Sequence, residues 1–393
     1  MRAPSVFRGL PRAYWVLWLG ALVDRLGGFG YVFLALYLTG PRHLAVDEAA
    51  AIVSLGGLGG LGGALAGGIL ADFLGRKATL VLSMTTSAVA MGAIGVLRDP
   101  LPIAVLWLLA GFAGGASRPA TSALVADLVA PDDRLRSFSL LHWAVNIGYS
   151  VAPVIGGVVA GASFTALFIA DAATTLLSVA LIAAKVPDAP APAQTEPLWR
   201  GLTRVFRDPP YLAFLAFVFV LAVIYSQADC TLAIDMVANG LAPATFGLII
   251  ALNGALITFL SPAVAGVLAR ADPVRVLAAA MALTAIGFGM YALSAAAGWY
   301  AAGVVVWTLG EIASNPSSGA VVAGMAPPEQ RGRYSGAYAM AWSLARFAGP
   351  TAGGLVLARL GARTLWLGCL VVGMVGAAAF LALGRGLRRR MVK

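Results

Sequence analysis

The sequence predicts an all-α membrane protein: twelve transmembrane helices in two six-helix, pseudo-symmetric bundles. Three observations lead there. Apolar residues make up 60% of the 393-residue chain and charged residues only 11%, against roughly 25% charged in an ordinary soluble domain. The apolar residues fall into twelve segments, each near the length a bilayer requires. The second half of the chain repeats the first at a fixed spacing.

A helix needs about 20 mostly apolar residues to cross the hydrocarbon core, because lipid offers no partner to a free backbone N–H or C=O. Span one runs from Tyr14 to Leu38. It is too long for a secretory leader, carries Asp24 and Arg25, and has no small-residue cleavage site, so it is expected to persist as one helix. Span two, Glu48 to Leu70, carries Gly56, Gly60, Gly63 and Gly67 at three- or four-residue spacing, a pattern for close helix packing. Spans three to six follow as Thr79 to Leu97, Pro102 to Ala126, Phe138 to Ala160 and Phe164 to Ala184. Lys185 to Arg207, with Pro187, Pro190, Pro192 and Pro197, reads as a stiff cytoplasmic linker. Spans seven to twelve are Tyr211 to Ile234, Phe246 to Ala269, Val276 to Leu293, Tyr300 to Met325, Ser335 to Ala358 and Thr364 to Leu383. The expected units are therefore residues 1–184, the linker 185–207, and residues 208–393.

Charge tests this segmentation, since Lys and Arg accumulate in cytoplasmic loops. With both termini inside, most of the 27 bases fall on the cytoplasmic side. Only Arg42, Arg98, Arg359 and Arg363 fall outside, while Arg25, Arg118 and Arg346 lie within spans. The net charge of +10 is thus an orientation signal, and a nucleic-acid surface is excluded because the bases sit in short clusters between apolar runs. The Arg388 to Arg390 run is also compatible with anionic lipid. Cys230 and Cys369, both in apolar stretches, provide neither a disulfide framework nor a metal set.

An offset of 197 residues superimposes Pro119 on Pro316, Pro131 on Pro328, Arg134 on Arg331, Arg136 on Arg333, Pro153 on Pro350, and Gly156-Gly157 on Gly353-Gly354, without a gap. Parallel six-span repeats about an axis along the membrane normal are a known secondary-transporter architecture. Three motifs narrow the reading. After span two stand Gly68, Asp72, Gly75, Arg76 and Lys77 in a G-x-x-x-D-x-x-G-R-K loop. Gly75 allows a tight turn, the two bases hold the loop in the cytoplasm, and Asp72 can accept from a helix N-terminus or a base. The second half has only the degraded copy Gly266 to Asp272. Span five carries Gly148, Ala152, Pro153, Gly156 and Gly157, and span ten with its loop carries Gly310, Glu311, Asn315, Pro316 and, farther on, Arg331, Gly332, Arg333 and Gly336.

By these motifs the chain resembles the major facilitator superfamily over nearly its whole length. The span-five run is similar to the antiporter signature G-x-x-x-G-P-x-x-G-G of drug–proton exchangers, with Ala152 in place of a glycine, and the span-ten run is similar to a bacterial drug-exporter subgroup. The resemblance implies the major facilitator fold, with spans one, four, seven and ten around a central cavity. It also implies that the loop after span two latches the halves in the outward-open state, Arg76 meeting an acid at the inner end of span four, where Asp127 stands. Drug exporters commonly carry an Arg early in span four; here that stretch is Leu106-Trp107-Leu108-Leu109, and Arg118 lies farther along.

Charges inside spans are costly, roughly 2.5–3.5 kcal/mol each on insertion scales, so each is a functional candidate. They are Asp24, Arg25, Arg118, Asp171, Asp229, Glu311 and Arg346. Residue counts place Asp24 and Arg118 at similar depth, which predicts a pair, with Arg25 facing another side. Glu311 and Arg346 form a second expected pair. Because burial disfavours a charged carboxylate and a nearby guanidinium favours it, Asp24 or Glu311 is expected to carry a coupling proton, with Arg118 adjusting Asp24. Further cavity candidates are Arg25, Tyr31, Phe33, Tyr37, Asn146, Tyr225, Gln227, Asp229, Asn253, Trp307 and Asn315, while His142 reads as facing the loop side. A wide, largely apolar cavity suits amphipathic or cationic compounds.

The expected function is secondary active transport: proton-coupled export of small amphipathic or cationic molecules by alternating access, driven by the proton gradient without a cofactor. Import of a sugar, peptide or organic acid with protons is the alternative within the fold, and a non-transporting sensor the alternative outside it. An enzyme is not expected, since the chain has no H-E-x-x-H pair, no G-x-S-x-G elbow and no Walker loop, and its two histidines are His43 and His142. The expected setting is a bacterial inner membrane, multi-pass with both termini cytoplasmic, the chain acting as a monomer on a small-molecule substrate and protons.

Overall fold

A computed structural model describes residues 9–188, 205–268, 270–327 and 330–391, and these are helical nearly throughout, with no strand among the described residues. The first bundle comprises α1 (Arg12–Leu26), α2 (Phe29–Thr39), α3 (Val46–Leu74), α4 (Arg76–Val96), α5 (Pro100–Leu128), α6 (Arg134–Ala162) and α7 (Phe164–Lys185). The second comprises α8 (Pro209–Tyr225), α9 (Thr231–Ala238), α10 (Pro243–Leu268), α11 (Pro273–Gly289), α12 (Ala297–Met325), α13 (Arg331–Leu360) and α14 (Ala362–Met391). Residues 189–204, most of the expected linker, lie outside the described residues, as do Pro328 of the repeat and Ala269 at the expected end of span eight.

Nine helical stretches among the described residues are long and apolar enough to cross a membrane, the pair α1–α2 counted as one. Three passes complete the twelve. The α8–α9 pass is interrupted, and α12 and α13 carry Glu311, Asn315 and Arg346 along their lengths.

Spans one and seven are each broken, which corrects the expectation of two continuous helices. Span one stops at Gly27 and resumes at Phe29; span seven stops after Tyr225 and resumes at Thr231. The cause in span one is packing together with a captured donor. Thr174 of α7 occupies the space a Cβ on Gly27 would need, and the Asp171 carboxylate accepts the Gly30 N–H at 2.7 Å. In span seven the Gln227 side chain donates to the carbonyls of Val223 (2.9 Å) and Gly349 (3.0 Å) and accepts from the Thr231 hydroxyl at 2.9 Å. Side chains thereby satisfy backbone groups that interrupting a helix releases.

Both bundles pair their helices alike. In the first, α3 packs on α5, α4 on α7 and α1 on α6; in the second, α10 packs on α12, α11 on α14 and α8 on α13. The repeat extends to single hydrogen bonds. Tyr14 donates its O–H to the Ser137 carbonyl at 2.7 Å, and Tyr211 donates to the Tyr334 carbonyl at 2.6 Å, each residue 197 positions beyond its counterpart. Pro119 in α5 answers Pro316 in α12, and Pro153 in α6 answers Pro350 in α13, all inside helices.

The bundles meet through α3 with α13, α6 with α10, and α2 with α9. These contacts lie toward the end of the molecule remote from the start of α1 and the end of α14. A Cβ on Gly57 would stand 2.6 Å from the backbone of Arg346 and Phe347, one on Gly157 2.9 Å from the Pro243 carbonyl, and one on Gly247 would collide with the Pro153 carbonyl. Toward the other end, Gly266 in α10 and Gly332 and Gly336 in α13 would have nothing within 4 Å of an added Cβ. The molecule is therefore shut at one end and open at the end that carries the start of α1 and the end of α14.

Candidate functional site

Between the bundles lies a cavity of about 260 Å³. Its walls come from the helix breaks and from the helices beside them: Tyr31 of α2, Tyr225 at the end of α8, Asp229 in the break before α9, Asn253 of α10, and Trp307, Glu311 and Asn315 of α12, with Asn146 of α6 and Arg346 of α13. These nine expected residues are brought together. Others line it that sequence reasoning did not single out, notably Tyr149, Ser226 and Trp342. His142 is also on the wall rather than facing a loop, because α6 begins at Arg134 and leaves His142 two turns inside the helix. Tyr149 lies within the quoted span-five motif, and only its surroundings distinguish it from a packing residue.

The aromatic part of the wall is firmly held. Tyr225 stacks on Trp342 with centroids 6.1 Å apart and meets Trp307 edge-on at 6.0 Å. Its O–H group is fixed by Thr284 at 2.9 Å, and the Trp307 indole N–H donates to Tyr291 at 2.9 Å. Aromatic side chains with anchored polar ends present a pre-formed apolar surface.

The ionic pairing differs from expectation. Arg346 faces Asp229 at 4.0 Å and lies over the Tyr31 ring at 5.5 Å. Glu311 accepts from the Asn253 amide at 2.7 Å, and that amide also donates to Thr308 at 3.1 Å. The expected Glu311–Arg346 pair is thus replaced by two partnerships across neighbouring helices, although both residues line one cavity. Asp24 pairs with Arg25 at 3.6 Å and accepts from Thr175 at 3.0 Å, so the expected Asp24–Arg118 pair is not formed in this conformation. Adjacent helical residues point about 100° apart, but α1 ends one residue after Arg25, and that side chain folds back toward Asp24. Arg118 is exposed and makes no ion pair or hydrogen bond among the described residues. The backbone of Arg25 lies where a Cβ on Gly148 would clash.

Three expected cavity residues are instead buried in the packing. Phe33 is fully buried and meets Phe246 of the other bundle edge-on at 5.7 Å, sealing the shut end. Tyr37 lies farther toward that end, donating to the Ile94 carbonyl at 2.7 Å and accepting from Arg42 at 2.9 Å. Gln227 is consumed by the span-seven break. Depth counted along an unbroken helix gave the wrong facing for Phe33 and Tyr37, beyond the break in span one, and for Gln227, within the break in span seven.

At the open end Gly75 takes φ +88°, a conformation open to glycine at little cost, and turns the chain from α3 into α4. Arg76 forms an ion pair with Asp127 at the end of α5, and Lys77 faces Asp188 at 3.6 Å. Gly68 lies in the last turns of α3 and Asp72 one turn beyond it. In the span-five run, Gly156 accommodates the Phe33 ring, Gly157 and the Pro153 carbonyl meet α10, and Ala152 is buried. This motif is thus the contact between bundles at the shut end.

A family model described as Major Facilitator Superfamily matches residues 17–237 and 230–391. An uncharacterized MFS-type transporter, YttB of Bacillus subtilis, is 25% identical over 381 residues, 95% of each chain. The multidrug resistance protein MdtH of Escherichia coli is 29% identical over 149 residues, 38% of this chain and 37% of that protein. Among solved structures, a POT family transporter in complex with a thioalcohol-conjugated peptide superposes with a TM-score of 0.84 at 15% identity, covering 97% of this chain and 98% of its own. The nucleoside transporter NupG superposes with a TM-score of 0.80 at 16% identity, covering 95% and 99%. These structural likenesses carry the fold.

Proposed function

The chain belongs to the major facilitator superfamily of membrane transporters, and on that premise we propose that it exports small amphipathic molecules in exchange for protons, by alternating access in a bacterial inner membrane. The observation that carries this reading is the cavity itself. It lies between two homologous bundles, is shut at one end and open at the other, and joins an anchored aromatic wall to two carboxylates, Asp229 and Glu311. A water-accessible carboxylate that changes partners as the bundles rock can load a proton in one state and release it in the other.

Glu311 is the first candidate for that proton, because its partner Asn253 stands on α10, which also carries the contact with the first bundle. Asp24 is the second, lying at the break of span one with Arg25 and Thr175. The Lys and Arg distribution supports cytoplasmic termini, which makes the open end the cytoplasmic one, ready to receive a substrate for export. The Arg76–Asp127 tie belongs to the first bundle and prepares the loop around Gly75 to meet the second bundle when that end closes. Similarity to MdtH over part of the chain supports export of foreign compounds. No cofactor is required, and a monomer supplies the whole cavity.

Transport in inside-out vesicles tests the reading. Acidifying the lumen should drive accumulation of an amphipathic dye, and Glu311→Gln should abolish that dependence on the proton gradient while leaving downhill exchange; Asp24→Asn serves as the parallel variant. Full coupling retained in both variants overturns the assignment of the proton, and uptake only into right-side-out cells makes the protein an importer.

A further inference from the structure

Three guanidiniums lie within spans of the bundles: Arg346 on the cavity wall, and Arg25 and Arg118 outside its lining. Arg25 has Asp24 at 3.6 Å and Arg346 has Asp229 at 4.0 Å. Arg118 has neither an ion pair nor a hydrogen bond among the described residues, although it stands inside a membrane-spanning helix, ten residues or about 15 Å from the end of α5. The charged groups that act on it are Arg346 and Arg25, both cations, together with the Tyr149 and Tyr31 hydroxyls. Every carboxylate of the vestibule is already engaged: Asp24 by Arg25 and Thr175, Asp229 by Arg346, Glu311 by Asn253.

An unpaired cation at membrane depth is costly, and membrane proteins pair such groups or use them for function. Here the side chain is exposed, and three of the groups that act on it, Arg346, Tyr149 and Tyr31, belong to the cavity wall, so a counter-charge can reach it from that side. A second donor lacks a partner in the same wall. The indole N–H of Trp342 is buried and finds no acceptor among the described residues. Both groups ask for an acceptor, and a guanidinium prefers a planar, bidentate one.

We propose that the transported molecule is an amphipathic organic anion, its carboxylate or sulfonate held by Arg118 and its apolar body against the Tyr225, Trp307 and Trp342 wall. This rests on reading the cavity as the substrate site and replaces the broader class of amphipathic or cationic cargo with an acidic one. It also gives the substrate a part in gating. Arg118 stands on the first bundle and Arg346 on the second, and an anion held by Arg118 offsets the repulsion between the two guanidiniums that remains after Arg346 pairs with Asp229, which favours approach of the bundles.

The test is equilibrium binding to the purified chain in lipid nanodiscs, by titration calorimetry, with three probes of one shape: 2-naphthoate, 2-naphthylmethanol and 2-naphthylmethylammonium. Empty nanodiscs correct for partition into lipid. The expected result is at least ten-fold tighter binding of naphthoate than of the other two. Arg118→Gln should erase that preference while leaving the affinity for naphthylmethanol unchanged, and Arg118→Lys should restore part of it. The neutral probe and an unchanged melting temperature show that the variants are folded. Equal affinities, preference for the ammonium, absence of binding by all three, or a naphthoate preference that survives Arg118→Gln each overturn the proposal. Failure of proton-driven export in vesicles would leave this result standing, since binding is read without a gradient.

Discussion

Gly247→Ala addresses the contact that holds one end of the molecule shut. In the present conformation a methyl group at this position collides with the Pro153 carbonyl of the other bundle and lies 3.3 Å from the Cα of Gly157. Neither neighbour is a side chain that can swing away. The flanking approaches, Gly157 on Pro243 and Gly254 on Ser150, are also against backbone, so α6 and α10 must separate as rods. Overpacking of this kind costs about 1–3 kcal/mol, which corresponds to a shift of about 5- to 150-fold. The backbone contact exists only while this end is closed, so the strain falls on one of the two states. A closed-to-open ratio of about 99:1 would then fall to between about 95:5 and about 40:60. Spin labels at Ala45→Cys and Ala242→Cys, exposed sites flanking the junction, read the separation by double electron–electron resonance, and the native Cys230 and Cys369 are buried. The expected outcome is a new, longer distance population in Gly247→Ala. An unchanged distribution in a protein of normal stability, or lost stability without redistribution, would refute the reasoning.

Two further substitutions examine how the bundles are held. Tyr14→Phe and Tyr211→Phe each leave a buried carbonyl, that of Ser137 or Tyr334, without its O–H donor, and each should destabilise the chain by about 1–3 kcal/mol. Similar losses in thermal unfolding are expected because the two sites are copies of one bond; a loss in one site alone would mean that the repeat is not energetically equivalent. At the span-one break, Asp171→Leu leaves the Gly30 N–H without an acceptor and should cost about 1–3 kcal/mol, whereas Asp171→Asn keeps an oxygen in place and should cost less. Hydrogen exchange at Gly30, rising in the leucine variant and not in the asparagine one, checks the cause.

The fold was legible in the sequence because a bilayer imposes a local rule. Backbone groups in hydrocarbon must bond within their own segment, so apolar length alone reveals a helix, as in the unbroken stretch from Val46 to Leu74. The 197-residue repeat was legible for the same reason, since Pro119 and Pro316 keep their place inside equivalent helices. The breaks were less legible. Gly27-Gly28 stood in plain view, but a glycine pair in an apolar run is as common in close packing as in an interruption, and what decides is Asp171, 141 positions away from the Gly30 N–H it accepts.

Side-chain pairing escaped the sequence altogether. Counting residues placed Glu311 near Arg346 and Asp24 near Arg118 in depth, yet depth fixes only one coordinate of three. Rotation about each helix, and the turn introduced at each break, placed Asp229 nearer Arg346 and brought Asn253 of a different helix to Glu311. The same rotation sent Phe33 and Tyr37 into the seal and brought Trp342 and Tyr149 to the cavity.

By itself, then, the sequence determined how many times the chain crosses the membrane, which residues make up each pass, and that one unit occurs twice, because lipid and loop charge act on each segment separately. Which end is shut, which carboxylate meets which cation, and that Arg118 within its span has no partner among the described residues were decided only by tertiary structure. Those properties depend on how two bundles are turned toward each other, and the angle between them is a sum of contacts spread over residues hundreds of positions apart.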